Sequence, residues 1–322
     1  MTAPLVLALF VLATAWAAPR HLLVARWVQR APTLGIVVWQ AVTLTVLLST
    51  LLIGLTLALP ILPVGPQLTS VMGTGHLDVT DHYATPAGNG LAVLALVGVV
   101  ALALRSTYFL MTALRRASRQ RRMQLAGLQL VGAPHPAGFT VIDHDVPLVY
   151  CLPGRQRAVV VTRGALDALT PDELESVLAH ERTHLRARHD LALALSAALA
   201  RTAGRVSLFR TAHEQITTLI EMQADDAARG RDARRAMATA LMTLGSTSRP
   251  ADAGAASTES AAPRIRRLIN AAPLTGARQR CAVALGAVAL LAAPVGLALS
   301  PALEASTNDC CHVAEDGQLV RR

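Results

Sequence analysis

Hydrophobic positions along this chain cluster into long uninterrupted runs, and the polar stretches between them are rich in arginine. The four apolar runs cover residues 3–18, 34–59, 91–114 and 281–299. About 20 apolar residues are enough for a helix to cross a bilayer. The pattern therefore predicts a multi-pass α-helical membrane protein with about four spans.

The first apolar run is short and ends in Ala15, Trp16 and Ala17, which resembles a signal-peptidase site. A signal peptide, however, begins with a positively charged region, and residues 1–4 carry no arginine or lysine. We therefore expect the first run to be retained as an anchor.

Arginines mark the expected orientation of the spans. Arg20, Arg26 and Arg30 follow the first run, the loop at residues 60–89 has no arginine, and a cluster of arginines follows the third run. By the positive-inside rule, the first loop and the region after the third span are cytoplasmic, and both termini lie outside. The predicted division is 1–60 (two spans), 61–90 (outer loop), 91–117 (third span), 118–280 (cytoplasmic domain), 281–299 (fourth span) and 300–322 (outer tail).

The region at 118–280 changes from strand-like to helical periodicity. Residues 139–142, 148–152 and 157–162 are rich in β-branched and aromatic side chains and predict a small sheet. Helical patterns follow at 174–187, at 191–200, at 212–229 and again from Arg264, whereas residues 246–263, rich in Ser, Ala and Pro, indicate a flexible loop. An edge strand of the sheet is expected to pair with an extended peptide, but the sequence leaves open which strand that is.

Composition agrees with a membrane location. The chain has a net charge of +9 and is 52% hydrophobic, with 16% charged residues and 3% aromatic residues. All the basic side chains are arginine, which indicates a bacterium with a GC-rich genome. So few aromatic residues argue against direct binding of nucleic acid, and the lipid bilayer is the expected partner of the basic segments.

Candidate chemistry is concentrated in His180, Glu181 and His184, inside the helix predicted at 174–187. Two histidines four residues apart lie on one helical face, close enough to share a metal ion. This spacing favours zinc held by His180 and His184, with Glu181 as the general base of a hydrolase. Thr170 and Glu173 predict a capping box at the start of the same helix.

A catalytic zinc usually takes a third protein ligand. The downstream candidates are Glu221, His213, His189 and Asp190. His189 and Asp190 are expected to continue the same helix and to form a polar patch at its end, because they follow too closely to approach the metal from another direction. Glu221 and Asp225 share one face of the later helix.

The segments around His180 and Glu221 also resemble a known family. The block at 159–187, together with residues 221–227, is similar to the M56 (BlaR1/MecR1-type) membrane metallopeptidases and, more distantly, to the M48 group that contains Ste24 and HtpX. The resemblance implies a gluzincin-like peptidase domain of the α+β class that is mainly helical. This domain would be inserted between spans three and four. It implies one zinc ion per chain, Glu221 as the third ligand and Asp225 as the carboxylate that orients a ligand histidine. It also assigns the segment from Arg264 to a helix after the catalytic core.

The resemblance further implies a regulatory endopeptidase that cleaves a BlaI/MecI-type repressor. The extracellular penicillin-binding sensor of the M56 regulators has no counterpart in residues 300–322, and the chain contains no lysine for its Ser-x-x-Lys motif. The alternatives are housekeeping degradation of membrane proteins, as Ste24 and HtpX imply, and a non-catalytic membrane receptor. Cys310 and Cys311 would lie in an oxidising exterior, where a disulfide to a second copy of the chain could form a homodimer.

Two other polar features receive structural interpretations. Residues 76–82 contain His76, Asp78, Asp81 and His82, which we interpret as a polar turn rather than a metal site. Arg105 lies near the inner end of the third run, where we expect it to extend towards the membrane surface.

Overall fold

The computed structural model describes residues 2–62, 88–154, 157–247, 256–270 and 276–308. Residues 76–82, Cys310 and Cys311 lie outside these ranges. The helices are α1 (Thr2–Val24), α2 (Arg26–Arg30), α3 (Pro32–Ala58), α4 (Gly88–Val131), α5 (Arg163–Ala168), α6 (Pro171–Ala187), α7 (His189–Thr202), α8 (Ser207–Asp225), α9 (Arg231–Thr247), α10 (Ala256–Ile269) and α11 (Ala277–Asn308). The strands are β1 (Gly132–His135), β2 (Phe139–Ile142), β3 (Val149–Leu152) and β4 (Ala158–Thr162).

One compact unit comprises Met1–Val24, Gln40–Tyr108 and Ala282–Arg322. Within it, the Thr45 hydroxyl donates to the Leu290 carbonyl, which links α3 to α11. A Cβ atom built on Gly54 would lie 2.4 Å from Val99 Cγ2, so the missing side chain permits close packing of α3 and α4.

Four helices of the described chain are long and apolar enough to cross a membrane, in agreement with the four apolar runs. They are Ala3–Val24, Pro32–Ile61, Gly88–Val131 and Ala277–Pro301. The third is 44 residues long, so the predicted end of a span at residue 117 falls inside a continuous helix. Its apolar pattern stops near residue 114, but the helix continues because the arginine-rich segment consists of good helix formers.

The second unit comprises Ala25–Trp39 and Phe109–Cys281. Its sheet has the strand order β1-β2-β4-β3, with β2 and β4 parallel and the other two pairs antiparallel. The predicted strands are present, and β1 is an additional edge strand that the sequence pattern did not indicate. The opposite edge strand is β3, and its outer side has no neighbouring strand among the described residues.

Helix α6 packs between two apolar clusters. Val177 belongs to a cluster with Met237 of α9 and Leu268 of α10. On another side of the same helix, Leu178 and Leu185 pack with Phe139, Val161 and other side chains of the sheet. Burial on both sides fixes the rotation of α6 about its axis and therefore the direction in which its polar face points.

Two expectations about the helices are wrong. Helix α6 ends at Ala187, because Arg188 adopts a left-handed conformation with φ of 54°, and a new helix begins at His189. His189 and Asp190 therefore do not continue α6. The interpretation of 246–263 as a loop is also wrong where the structure describes it: α9 extends to Thr247, and residues 256–263 belong to α10. Alanine supports helix there despite Pro263.

Candidate metal centre

The two histidines of α6 converge as their spacing predicts. Nε2 of His180 lies 3.1 Å from Nε2 of His184, and both rings are largely shielded from solvent. The helix is fixed at its start by the Thr170–Glu173 capping box, in which each residue bonds the backbone of the other. Local sequence therefore determines both the helix and the face that carries the imidazoles.

Helix α8 brings Glu221 to this pair. Its Oε2 lies 3.6 Å from His180 Nε2, and its Oε1 lies 3.7 Å from His184 Nε2. One ligand atom from each of the three residues lies within 4.8 Å of the others. The Glu221 side chain is 35% exposed, so the group is open on one side, as a substrate or a water molecule would require.

Asp225 lies one helical turn beyond Glu221. Its Oδ1 is 3.0 Å from Nδ1 of His180, and the residue is 1% exposed. A carboxylate at Nδ1 favours the tautomer that leaves a lone pair on Nε2, the atom that faces the other ligands. The structure thus brings together the residues of the predicted site.

A second chain of contacts orients His184, and sequence reasoning missed it. Oε1 of Gln223 accepts a hydrogen bond from Nε2–H of His189 over 3.1 Å. Nδ1 of His189 is therefore the acceptor for Nδ1–H of His184, 2.9 Å away. This arrangement leaves Nε2 of His184 unprotonated and directed at the same point as His180 Nε2.

These donors fit a zinc ion. Ligands bound to tetrahedral zinc at about 2.0–2.2 Å lie about 3.3–3.5 Å from one another. The two imidazole nitrogens lie 3.1 Å apart, and different oxygens of Glu221 lie 3.6 Å from His180 Nε2 and 3.7 Å from His184 Nε2. With one ligand atom from each residue, the three atoms lie within 4.8 Å of one another, so a small shift of the Glu221 carboxylate brings them to this spacing. Two imidazole nitrogens and one carboxylate, with an open side, form the type of ligand set that catalytic zinc uses.

Arg264 of α10 is a second functional residue whose role the sequence did not reveal. Its guanidinium binds Asp225 through two hydrogen bonds of 2.9 and 2.7 Å and lies 3.0 Å from Glu221 Oε2. Burial opposes the charged forms of both carboxyls, but Arg264 and His180 hold the pKa values of Asp225 and Glu221 below their usual ranges. Both acids are therefore negatively charged and available at neutral pH.

The pKa values of His180 and His184 are shifted in opposite directions. Burial alone lowers the pKa of His180, but its contacts with Asp225 and Glu221 outweigh burial and raise the pKa to about 9. Burial lowers the pKa of His184 to about 4, against the attraction of Glu221. One imidazole of the closely spaced pair thus carries a proton in the metal-free protein, and a cation bound by the two rings would replace that proton.

Glu181 projects from α6 towards strand β3. Burial raises the pKa of its carboxyl, and the positive charge of His180 and hydrogen bonds with Cys151 oppose that increase. Burial, and then the adjacent Glu181 charge, raise the pKa of the Cys151 thiol well above its usual range. Cys151 is therefore an un-ionised neighbour of Glu181 on the edge strand β3.

The remaining candidates from the sequence lie in other surroundings. Nδ1 of His213 lies 2.8 Å from the Ser196 hydroxyl, which links α8 to α7. Asp190 pairs with Arg121 of α4 at 3.1 Å. Neither residue belongs to the His180, His184 and Glu221 group. The sequence marked His189 only as a candidate ligand. Its direction towards His184 was not predicted, because the turn depends on a left-handed Arg188 rather than on glycine or asparagine.

Comparison with known proteins identifies the relatives of this region. Residues 113–272 match the family model described as Peptidase family M48. A Protease HtpX homolog of Acidiphilium cryptum (strain JF-5) is 40% identical over 79 residues, which cover 24% of this chain and 27% of that protein. The chain thus matches about a quarter of the length of that relative. No solved structure matches significantly.

The comparisons favour the more distant of the two resemblances, the one to the M48 group. They show similarity to M48 proteins and give no support to the M56 resemblance or to the signalling role derived from it. The matched region contains His180, His184, Glu221 and Arg264. The region at 113–272 is therefore similar to Peptidase family M48, and the described chain also contains four helices that are long and apolar enough to cross a membrane.

Proposed function

We propose that this protein is a zinc-dependent endopeptidase of the HtpX type, with a gluzincin-like site that faces the cytoplasm. The observation that carries the proposal is the convergence of His180, His184 and Glu221 beside Glu181 and the edge strand β3. His180, His184 and Glu221 would hold the zinc ion. When bound, the metal supplies Lewis-acid polarisation of the scissile carbonyl and of a water molecule.

The protein's own groups account for substrate alignment and proton transfer. An extended peptide adds to the outer edge of β3, where main-chain hydrogen bonds hold the scissile carbonyl near the metal site. Glu181 accepts a proton from the attacking water as the oxygen bonds to the carbonyl carbon. As the C–N bond breaks, Glu181 returns that proton to the leaving amine, so the net reaction is hydrolysis of one peptide bond.

The environment of Glu181 suits both proton transfers. Burial raises the pKa of its carboxyl, which makes the group a stronger base and lets it retain the proton between the two steps. The positive charge of a bound zinc ion would favour the ionised form of the group before the water molecule attacks. Glu181 binds no metal in this proposal, so its position is explained by catalysis and not by a structural metal site.

The test of the chemistry is Glu181→Gln in the full chain, purified in detergent with zinc bound. We expect cleavage of an unfolded protein such as casein to fall by roughly 100-fold or more, because general base catalysis is removed. Glu175→Gln on the exposed face of the same helix is the matched control and should retain full activity. Undiminished cleavage by the Glu181 variant with zinc bound would contradict the proposal.

The substrates proposed are damaged or unassembled membrane proteins, which follows the HtpX resemblance. A strain that lacks the protein should accumulate many membrane proteins at once, whereas loss of a dedicated repressor protease should alter one regulon. Cytoplasmic orientation is tested separately with a single cysteine at Arg163 in a cysteine-free chain. A membrane-impermeant maleimide should label this cysteine in inverted vesicles and not in intact cells.

A further inference from the structure

A cavity of about 800 Å³ lies in the second unit, apart from the open side of the metal centre. It is formed where α3 and α9 begin, at the end of α8 and beside α10. Five arginines line it: Arg30, Arg229, Arg234, Arg267 and Arg280. So many guanidinium groups around one cavity require an explanation, because like charges repel unless an anion is present.

Protein carboxylates account for only part of this charge. Arg267 pairs with Asp226 at 2.7 Å, and Asp225, which also lines the cavity, is occupied by Arg264. Arg30, Arg229 and Arg234 form no ion pair with any carboxylate of the described chain. The cavity therefore has a surplus of positive charge.

Backbone N–H groups add to the positive electrostatic potential of the cavity. The first turn of a helix leaves N–H groups without acceptors in the helix and carries the positive end of the helix dipole. The cavity receives two such ends, those of the 27-residue α3 at Thr33 and Leu34 and of the 17-residue α9 at Gly230. Phosphate groups bind where arginines and helix N-termini occur together.

The position of the lining residues along the chain indicates the source of the anion. Pro32 is the first residue of one candidate span, and Arg280 lies in the first turn of another, Ala277–Pro301. Residues at the start of a span lie at the level of the lipid headgroups. Basic cavities at this level bind the headgroups of anionic phospholipids.

We propose that this cavity binds a phosphate group, supplied by the headgroup of an anionic phospholipid such as phosphatidylglycerol. Arg30, Arg229 and Arg234 neutralise the phosphate, and the first turn of α3 donates hydrogen bonds to it. The site does not depend on peptidase activity, because its ligand is a lipid and, of the lining residues, only Asp225 contacts the metal centre.

The test uses the full chain in detergent micelles doped with phosphatidylglycerol, followed by removal of excess lipid and mass spectrometry of the lipid retained per chain. The variant Arg30→Gln, Arg229→Gln, Arg234→Gln should retain at least fivefold less phosphatidylglycerol. The control Arg157→Gln, Arg205→Gln, Arg210→Gln removes the same charge from exposed positions elsewhere and should retain as much as the wild type. Equal retention by all three proteins, or equal loss in both variants, would overturn the proposal.

A second variant tests whether lipid is lost from a protein that remains folded. Thr33→Glu introduces a carboxylate at the exposed N-terminal turn of α3, where a negative charge suits the helix dipole. It should displace the lipid while the thermal midpoint of the protein stays within a few degrees of the wild type. Unchanged retention in a folded Thr33→Glu protein would count against the site.

Inorganic phosphate distinguishes the two sources of the anion. If 10 mM phosphate raises the thermal midpoint of the wild type and not of the cavity variant, and no lipid is retained, the cavity binds free phosphate and the lipid source is wrong. If lipid is retained and phosphate has no effect, the lipid headgroup is the ligand.

Discussion

His189 lies with its Nδ1 2.9 Å from Nδ1 of His184, although five residues and a change of helix separate them. The contact exists because Arg188 turns the chain through a left-handed conformation, so that α7 starts back towards α6. Gln223 then fixes which nitrogen of His189 carries the proton. Each imidazole of the proposed zinc site thus has its own orienting partner, an aspartate for one and a histidine for the other.

We expect His189→Ala to weaken zinc binding by roughly 10- to 100-fold, since loss of a group that orients a ligand histidine typically has this effect. Competition with a chelator of known affinity measures the change directly. His189→Asn should recover part of the affinity, because its amide oxygen can accept from His184. His213→Ala is the control, since His213 contacts Ser196 and not the ligands. Equal zinc affinity in the wild type and His189→Ala would refute the orienting role.

Asp225→Asn should destabilise the protein by about 3 kcal/mol, because it removes the buried carboxylate that accepts two hydrogen bonds from the Arg264 guanidinium and leaves only the more exposed Glu221 beside it. Thermal unfolding in detergent measures this as a lower midpoint. The matched control is Asp143→Asn, which breaks a 2.8 Å pair with Arg163 whose side chains are 84% and 61% exposed. An exposed pair contributes at most about 1 kcal/mol, so similar effects of both substitutions would contradict the assignment.

Thr170→Ala should reduce the free energy of unfolding by about 1 kcal/mol, since it removes one side of the capping box at the start of α6. Chemical denaturation of the detergent-solubilised protein provides the measurement. Thr217→Ala, an exposed threonine inside α8, should have almost no effect, because its hydroxyl bonds only a carbonyl of its own helix. The cap prediction fails if the two substitutions cannot be distinguished.

Gly164→Ala should be destabilising by roughly 1–3 kcal/mol, because a Cβ atom at this position would lie 1.9 Å from the Asp145 carbonyl oxygen. The loop before β3 would have to move to accommodate it. Gly127→Ala in α4 serves as the comparison, since its Cβ atom would meet nothing within 4 Å and alanine favours helix. We expect that control to raise the thermal midpoint slightly, and a rise for Gly164→Ala would show that the close approach is wrong.

The features that the sequence predicted are those with local causes. The apolar runs indicate spans because about 20 consecutive side chains decide that outcome. The helix with His180 and His184 follows from its own capping box and periodicity. The strand at 158–162 is evident from its run of valines, Val159, Val160 and Val161, which the structure buries.

The features that the sequence did not predict depend on distant contacts. Arg264 reaches Asp225 across 39 residues, and no pattern near either residue marks that pair. Strand β1 contains Pro134, which disfavours strands, but it forms because β2 pairs with it at a sheet edge where a missing N–H is tolerated. The direction of His189 depends on a single left-handed arginine.

The Arg264 guanidinium lies between Asp225 and Glu221. Its position bears on whether the protein must bind its metal before it can fold in the membrane. In many small zinc domains the ion itself must neutralise its ligands before the chain can adopt its final shape. Here the Arg264 guanidinium and the protonated His180 already balance the two acids, so the charges of the proposed ligand set do not require an ion for the site to form. If the proposed zinc site is correct, insertion into the bilayer and acquisition of the metal are separable events, and we expect a metal-starved cell to accumulate an intact precursor ready to bind the ion.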